Sequence, residues 1–140
     1  MRYLLDTCFL SELRRPHPDL GVLEFFEGVS PELLFVSIIT LGEIQRGIEL
    51  LDEGRKKRPL HLWLGQLEES YGANIVTADA ETARIWGVVT ANCQKGGRPI
   101  NVSDGWMAAI ALQHGLHLVT RNVKDFEMAG ARLDNPWRGP

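Results

Sequence analysis

The sequence predicts an α/β protein: a mostly parallel sheet with helices on both faces. Short apolar runs alternate with stretches whose apolar residues repeat at helical spacing, and Gly, Pro, Asn and Asp punctuate the joins. The order strand–helix holds throughout, which calls for right-handed crossovers between parallel strands. In such sheets chemistry collects beyond the carboxyl ends of the strands.

Tyr3-Leu4-Leu5 reads as a short buried strand ending at Asp6-Thr7-Cys8. Phe9 to Arg14 looks helical until Pro16 and Pro18 interrupt it. Leu33 to Ile39 is a second strand, rich in Phe, Val and Ile. Leu41, Ile44, Ile48 and Leu51 then mark one face of a helix from Leu41 to Leu51. Gly54 and the basic run Arg55-Lys56-Lys57-Arg58-Pro59 break the pattern. Leu60, Trp63, Leu64 and Leu67 form an apolar stripe on a further helix closing near Gly72. Asn74 to Thr77 is a short strand. Ala80 to Asn92 is a helix with Ala83, Trp86 and Val89 inward, and Lys95 to Ile100 is a Gly/Pro loop. A helix from Asp104 to His114 ends at Gly115, a natural position for a left-handed cap. His117 to Thr120 is the next strand, and Arg132-Leu133 marks a last one.

At 140 residues the chain is expected to form one domain, residues 1–140, with a core that needs no disulfide or structural metal. Cys8 and Cys93 lack any partner spacing, so a reducing cytoplasm is the expected compartment. No basic-then-apolar leader and no long apolar run stands in the sequence, so neither export nor a membrane partner is expected. The net charge of −3 does not mark a nucleic-acid binder, but local fields rather than totals decide such binding. An acidic site needs cations to hold a polyanion.

Such a site is expected where Asp6 ends the first strand, Glu43 sits in the first turn of the helix after the second strand, and Asp104 opens a helix. Asn122 and Asp125 follow the strand His117 to Thr120. Clustered carboxylates repel one another and call for a divalent cation; Mg²⁺ and Mn²⁺ take oxygen ligands and keep waters that a phosphate can share a shell with. Each acid also has a structural reading. Asp6 can cap the helix after it, Thr40 and Glu43 fit a capping box, and Asp104 complements a helix dipole.

The segments LLDTCFLSEL, ITLGEIQRGIELL, INVSDGWMAAIALQHGL and LVTRNVKDF, with the terminal Asn135-Pro136-Trp137, together resemble the successive motifs of PIN-domain ribonucleases. The pattern is most like the FitB-like branch of VapC-type toxins. The resemblance implies a three-layer α/β/α sandwich and a metal-dependent endoribonuclease, the toxin of a toxin–antitoxin pair. It further implies a homodimer inhibited by a cognate antitoxin, with structured RNA such as tRNA as substrate. Asp6, Glu43 and Asp104 match the family's principal acids. Asp6 and Asp104 would hold Mg²⁺ (or Mn²⁺), with Glu43 as a ligand or as general base. Many relatives carry a fourth acid where this chain has Asn122, an uncharged oxygen donor; Asp125 is the alternative. The rival is a catalytically silent PIN fold that binds RNA or a partner. Phosphatase and phosphoacceptor readings fail on the absent second acid beside Asp6.

Other signals are weaker. Arg121 and Lys124 stand beside the acids and could position a phosphate; Arg46 could do so or pair with Glu43 or Glu49. The run Arg55 to Arg58 suits a solvated turn. His17, His61, His114 and His117 form no ligand pair. Trp106 is expected to pack beneath the site rather than stack a base.

Overall fold

The computed structural model describes residues 1–139. Its centre is β1 (Tyr3–Leu5), flanked by β2 (Leu34–Ser37) and β4 (His117–Val119), with β3 (Ile75–Val76) and β5 (Leu133–Asp134) outermost. The order is β3-β2-β1-β4-β5 and every pairing is parallel. Consecutive side chains of a strand point to opposite faces, and β1 shows it. Leu4 and Leu5 are both fully buried, yet they belong to different halves of the core. Leu4 packs with Leu118 beneath α5 (Ala80–Lys95) and α6 (Val102–His114). Leu5 packs with Val119 against α1 (Thr7–Leu13), α2 (Leu20–Gly28), α3 (Ile38–Leu50) and α4 (Lys57–Tyr71). Helices thus cover both faces, the expected three-layer sandwich. A one-turn helix, α7 (Val123–Phe126), follows β4.

Element types agree with the sequence reading, and the boundaries shift where a cap decides them. Ser37 Oγ accepts from the Thr40 amide at 3.2 Å, so Ile38 and Ile39 start α3 instead of extending β2. The expected Thr40–Glu43 capping box is therefore absent: Thr40 is buried inside the first turn, and Glu43 lies in the second. Helix α2 was not anticipated. Asp19 caps it, accepting from the Gly21 and Val22 amides, so the chain resumes a helix straight after the prolines. On α5 the inward stripe is Thr82, Ile85, Trp86, Val89 and Cys93, which leaves Ala83 exposed rather than inward. Helix α6 starts two residues before Asp104 because Asn101 caps it, and it ends at Gly115 with a φ of 63°. Leu64 and Leu67 of the α4 stripe are buried in the core. His117 turns its Nδ1 to Asp134 Oδ2, 2.9 Å away on the neighbouring strand. No described helix is long and apolar enough to cross a membrane.

The residues after β5 return to the start of the chain. Trp137 donates its Nε1–H to buried Glu12 of α1 at 3.2 Å and meets Phe9 edge-on, with centroids 6.1 Å apart. Asp19, already the cap of α2, also accepts from the Arg138 and Gly139 amides. Gly21 leaves the room: a Cβ there would collide with the Pro136 carbonyl oxygen and lie 2.9 Å from Arg138 Cγ. Gly21→Ala should therefore displace the tail and destabilise the fold by roughly 1–3 kcal/mol, the usual cost of overpacking. Urea denaturation with Trp fluorescence checks this; an unchanged midpoint would mean that the tail is not held there.

Candidate active site

The chain leaves β1 towards β2 and β3, then returns to place β4 and β5 on the other side, so the strand order reverses between β1 and β4. Such a reversal opens a crevice at the carboxyl ends of the two strands. Asp6 follows β1 into that crevice, and Thr120 follows β4. The two are joined. Buried Thr120 donates its hydroxyl to Asp6 Oδ2 at 2.6 Å. Asp6 Oδ1 accepts from the Thr7 amide, so the structural reading of Asp6 as the α1 cap also holds. The Cys8 thiol donates to Oδ2 at 3.3 Å. Burial, and then the charge of Asp6, push this thiol up to about 12, so it stays protonated and is no nucleophile.

Glu43 reaches the same place from α3. Its Oε1 accepts from the Thr7 hydroxyl at 2.8 Å, one residue along from Asp6. Burial raises its carboxyl above the usual glutamate range, the Thr7 hydrogen bond opposes this, and the charge of Asp6 adds to it. Asp104 comes from α6. Asn101 Oδ1 accepts from the Asp104 amide at 2.8 Å, and Asn101 Nδ2 donates to Asp104 Oδ2 at 2.8 Å. The seat of this turn is close, because a Cβ on Gly105 would lie 2.9 Å from Trp86 Nε1 and from Thr90 Cγ2. Trp106 stacks on Trp86 at 5.4 Å, so it packs against the support of the site and takes no exposed stacking position. Burial pushes Asp104 up to about 6, and the charges of Asp6, Glu43 and Asp125 reinforce the shift against the Asn101 hydrogen bond.

Asp6, Glu43 and Asp104 therefore feel one another across three elements. Among the described residues no Arg, Lys or His stands within ion-pairing distance of any of them. Hard carboxylate oxygens that repel one another and lack a cation suit a hard divalent ion in their donor chemistry. Among the described residues no three His, Cys, Asp or Glu side chains are gathered tightly enough to grip an ion by themselves, so water would fill part of its shell. Asn122 heads α7 with its amide on Thr120 Oγ1 at 3.0 Å, and its side chain makes no capping bond. The fourth acid whose charge reaches Asp104 is Asp125, in the first turn of α7.

The PIN-domain family profile matches residues 3–130. The chain belongs to the PIN-domain family. It is 34% identical over 138 residues to Toxin FitB of Neisseria gonorrhoeae, covering 96% of this chain and 97% of that one. It is 30% identical over 135 residues to VapC ribonuclease Y4jK of Sinorhizobium fredii, covering 96% of each. Among solved structures, FitAB bound to an IR36 DNA fragment superposes with a TM-score of 0.89 at 32% identity, covering 99% of this chain and 97% of that one.

In this PIN domain the hydroxyls of Thr7 and Thr120 join the site, although neither was singled out from the sequence. Their signal was position alone: each lies one residue from an acid or from a strand end. Arg46 forms none of the expected ion pairs among the described residues, and Glu49 accepts instead from Gln45 at 2.9 Å. The run Arg55 to Arg58 forms the turn into α4, where Lys57 pairs with Glu53.

The raised Asp104 has a consequence for stability. Between the ordinary aspartate value of 3.8 and about 6, the folded protein keeps a proton that the unfolded chain has released. Without metal, stability therefore falls as pH rises through that window. The advantage of Asp104→Asn over wild type in chelator should be small at pH 4, grow as pH rises to about 6 and level off above it. Equal urea midpoints at pH 7.5 would place Asp104 outside the repulsive cluster.

Proposed function

We propose that this PIN domain is a metal-dependent endoribonuclease, the toxin of a toxin–antitoxin pair. The observation that carries the reading is the uncompensated set Asp6, Glu43 and Asp104 at the sheet's switch point. The likeness to a VapC ribonuclease and to Toxin FitB supports it. Asp6 and Asp104 would hold Mg²⁺ or Mn²⁺, with Glu43 a further ligand or the base that takes the proton from the attacking water. A bound ion would lower the pKa of that water and offset charge on the phosphate as it is attacked. Thr120 and Thr7 keep Asp6 and Glu43 oriented, as hydrogen-bond partners of ligands do. Raised above the usual glutamate range by burial, Glu43 is also a better proton acceptor than an exposed carboxylate. Asn122 would offer the ion an uncharged oxygen, while Asp125 adds negative charge near Asp104.

The resemblance to a FitAB assembly supports a cognate antitoxin as partner, and self-association as a homodimer is part of the same proposal. Exposed Leu50, Leu62 and Val88 on α3, α4 and α5 are apolar surface for such contacts. An antitoxin segment carrying Arg or Lys into the carboxylates would replace a cation electrostatically. RNA, tRNA included, is the proposed substrate.

Asp6→Asn should lower cleavage of total RNA by about a thousandfold or more, because the several kcal/mol supplied through the ion are lost while shape is kept. EDTA should abolish cleavage, and Mg²⁺ or Mn²⁺ should restore it. Full activity of the folded variant, or of wild type in chelator, would overturn the reading. Thr120→Val should weaken Mn²⁺ binding by roughly 10–100-fold, as losses beside the ligands do, which calorimetric titration would read. Added Mg²⁺ should also relieve inhibition by an Arg-bearing antitoxin peptide; inhibition indifferent to metal would place the peptide elsewhere.

A further inference from the structure

Beside Asp104, on the α7 side, lies a cavity of about 390 Å³ that the roles above leave unused. Its lining is Arg98, Pro99, Ile100, Asn101, Asp104, Lys124 and Asp125. The loop between α5 and α6 forms one wall and α7 the other. Arg98 ties the two walls together. Its guanidinium pairs with Glu127 at 2.9 Å and donates to the Lys124 carbonyl at 2.7 Å, so its charge is largely spent on holding the cavity's shape. Asn101 is likewise committed, with both ends of its amide on Asp104.

That leaves distinct free groups. Among the described residues the Lys124 ammonium has no carboxylate partner, and the Asp125 carboxylate accepts no hydrogen bond from another residue's side chain. Pro99 and Ile100 supply the apolar surface. A cation, an apolar surface and a free acceptor are what a nucleotide's phosphate, base face and base edge require. The volume falls within the roughly 300–1,000 Å³ of small-molecule clefts. Asp104 is a wall of this cavity and a member of the acidic set, so an occupant would adjoin the reacting phosphate.

We infer that this cavity is the subsite for an unpaired nucleotide next to the scissile phosphate, with Lys124 on its phosphate and Asp125 reading its base. The inference rests on the ribonuclease reading. A carboxylate accepts two parallel N–H bonds only from a base that presents adjacent donors, and guanine does so with N1–H and its 2-amino group. Uracil's single N–H lies between two carbonyls that Asp125 would repel. The subsite therefore selects guanine.

The test has one arm that needs cleavage and one that does not. In the first, wild type, Lys124→Ala, Lys124→Arg, Asp125→Asn and Ile100→Trp act on a random-sequence single-stranded RNA with Mn²⁺, and the new ends are sequenced. Guanine should be enriched at one position flanking the cut. Asp125→Asn should reduce that enrichment by about tenfold, the order of one bidentate pair. Lys124→Ala should raise KM more than it lowers kcat and shallow the salt dependence by about one charge, with Lys124→Arg restoring both. Ile100→Trp, which fills the cavity, should raise KM for all sequences. In the second arm, guanosine and uridine 5′-monophosphates are titrated into the Asp6→Asn protein while amide NMR signals of residues 98–101 and 124–125 are followed. Guanosine monophosphate should shift them at lower concentration. Active wild type with no change in enrichment or KM in any variant would overturn the subsite and spare the ribonuclease reading. Nucleotide binding at these residues in a protein that cuts no RNA would overturn the ribonuclease reading and spare the subsite. Shifts confined to other residues would overturn the subsite whatever the cleavage result.

Discussion

The molecule is organised around the burial of a three-residue strand on both faces. Leu4 and Leu5 leave no solvent on either side of β1, so the chain beyond β1 must supply a helical layer above it and another below. With Leu4 and Leu5 sealed from solvent, a carboxylate can stand only where the strand stops. That group is Asp6. Its hydroxyl partner, Thr120, ends the neighbouring strand for the same reason, and their hydrogen bond spans the gap between the two halves of the sheet.

The acids are held together against their electrostatics. Each is fixed by groups that serve the fold: the α1 cap for Asp6, a neighbouring hydroxyl for Glu43, and the α6 cap for Asp104. For Asp6 the capping and functional readings are therefore not rivals. A capping carboxylate is already aligned by backbone amides and still has oxygen lone pairs facing the crevice. Local backbone chemistry thus orients groups whose mutual repulsion would otherwise turn them away.

Much of this was legible in the sequence because it rests on periodicity and punctuation. The alternation of strands with helices and the places of Asp6, Glu43 and Asp104 in it follow from runs such as Tyr3-Leu4-Leu5 and from helical spacing such as Leu41, Ile44 and Ile48. What was not legible depends on contacts distant in sequence. Ser37 in place of Thr40 as the cap of α3 was hidden by the continuous apolar run Leu33 to Ile39, where strand and helix look alike. Helix α2 was hidden because Asp19 lies directly after the prolines that seemed to end regular structure. Where Asn122 and Asp125 stand relative to Asp104 turns on one short helical turn, and no pattern in four residues decides that.

The tail that clasps Glu12 and Asp19 bears on how the chain is made. Residues 137–139 hold Glu12 and Asp19, which leave the ribosome more than a hundred residues before them. Strand β1 likewise lacks one of its two neighbours until residues 117–119 exist. An unfinished chain can pair β1 with β2 and cover one face, but it has no Thr120 for Asp6 and no Asp104 nearby. Contacts of such long sequence separation form late. Completion of the crevice therefore waits for β4, and a chain truncated before Thr120 carries Asp6 without its hydroxyl partner.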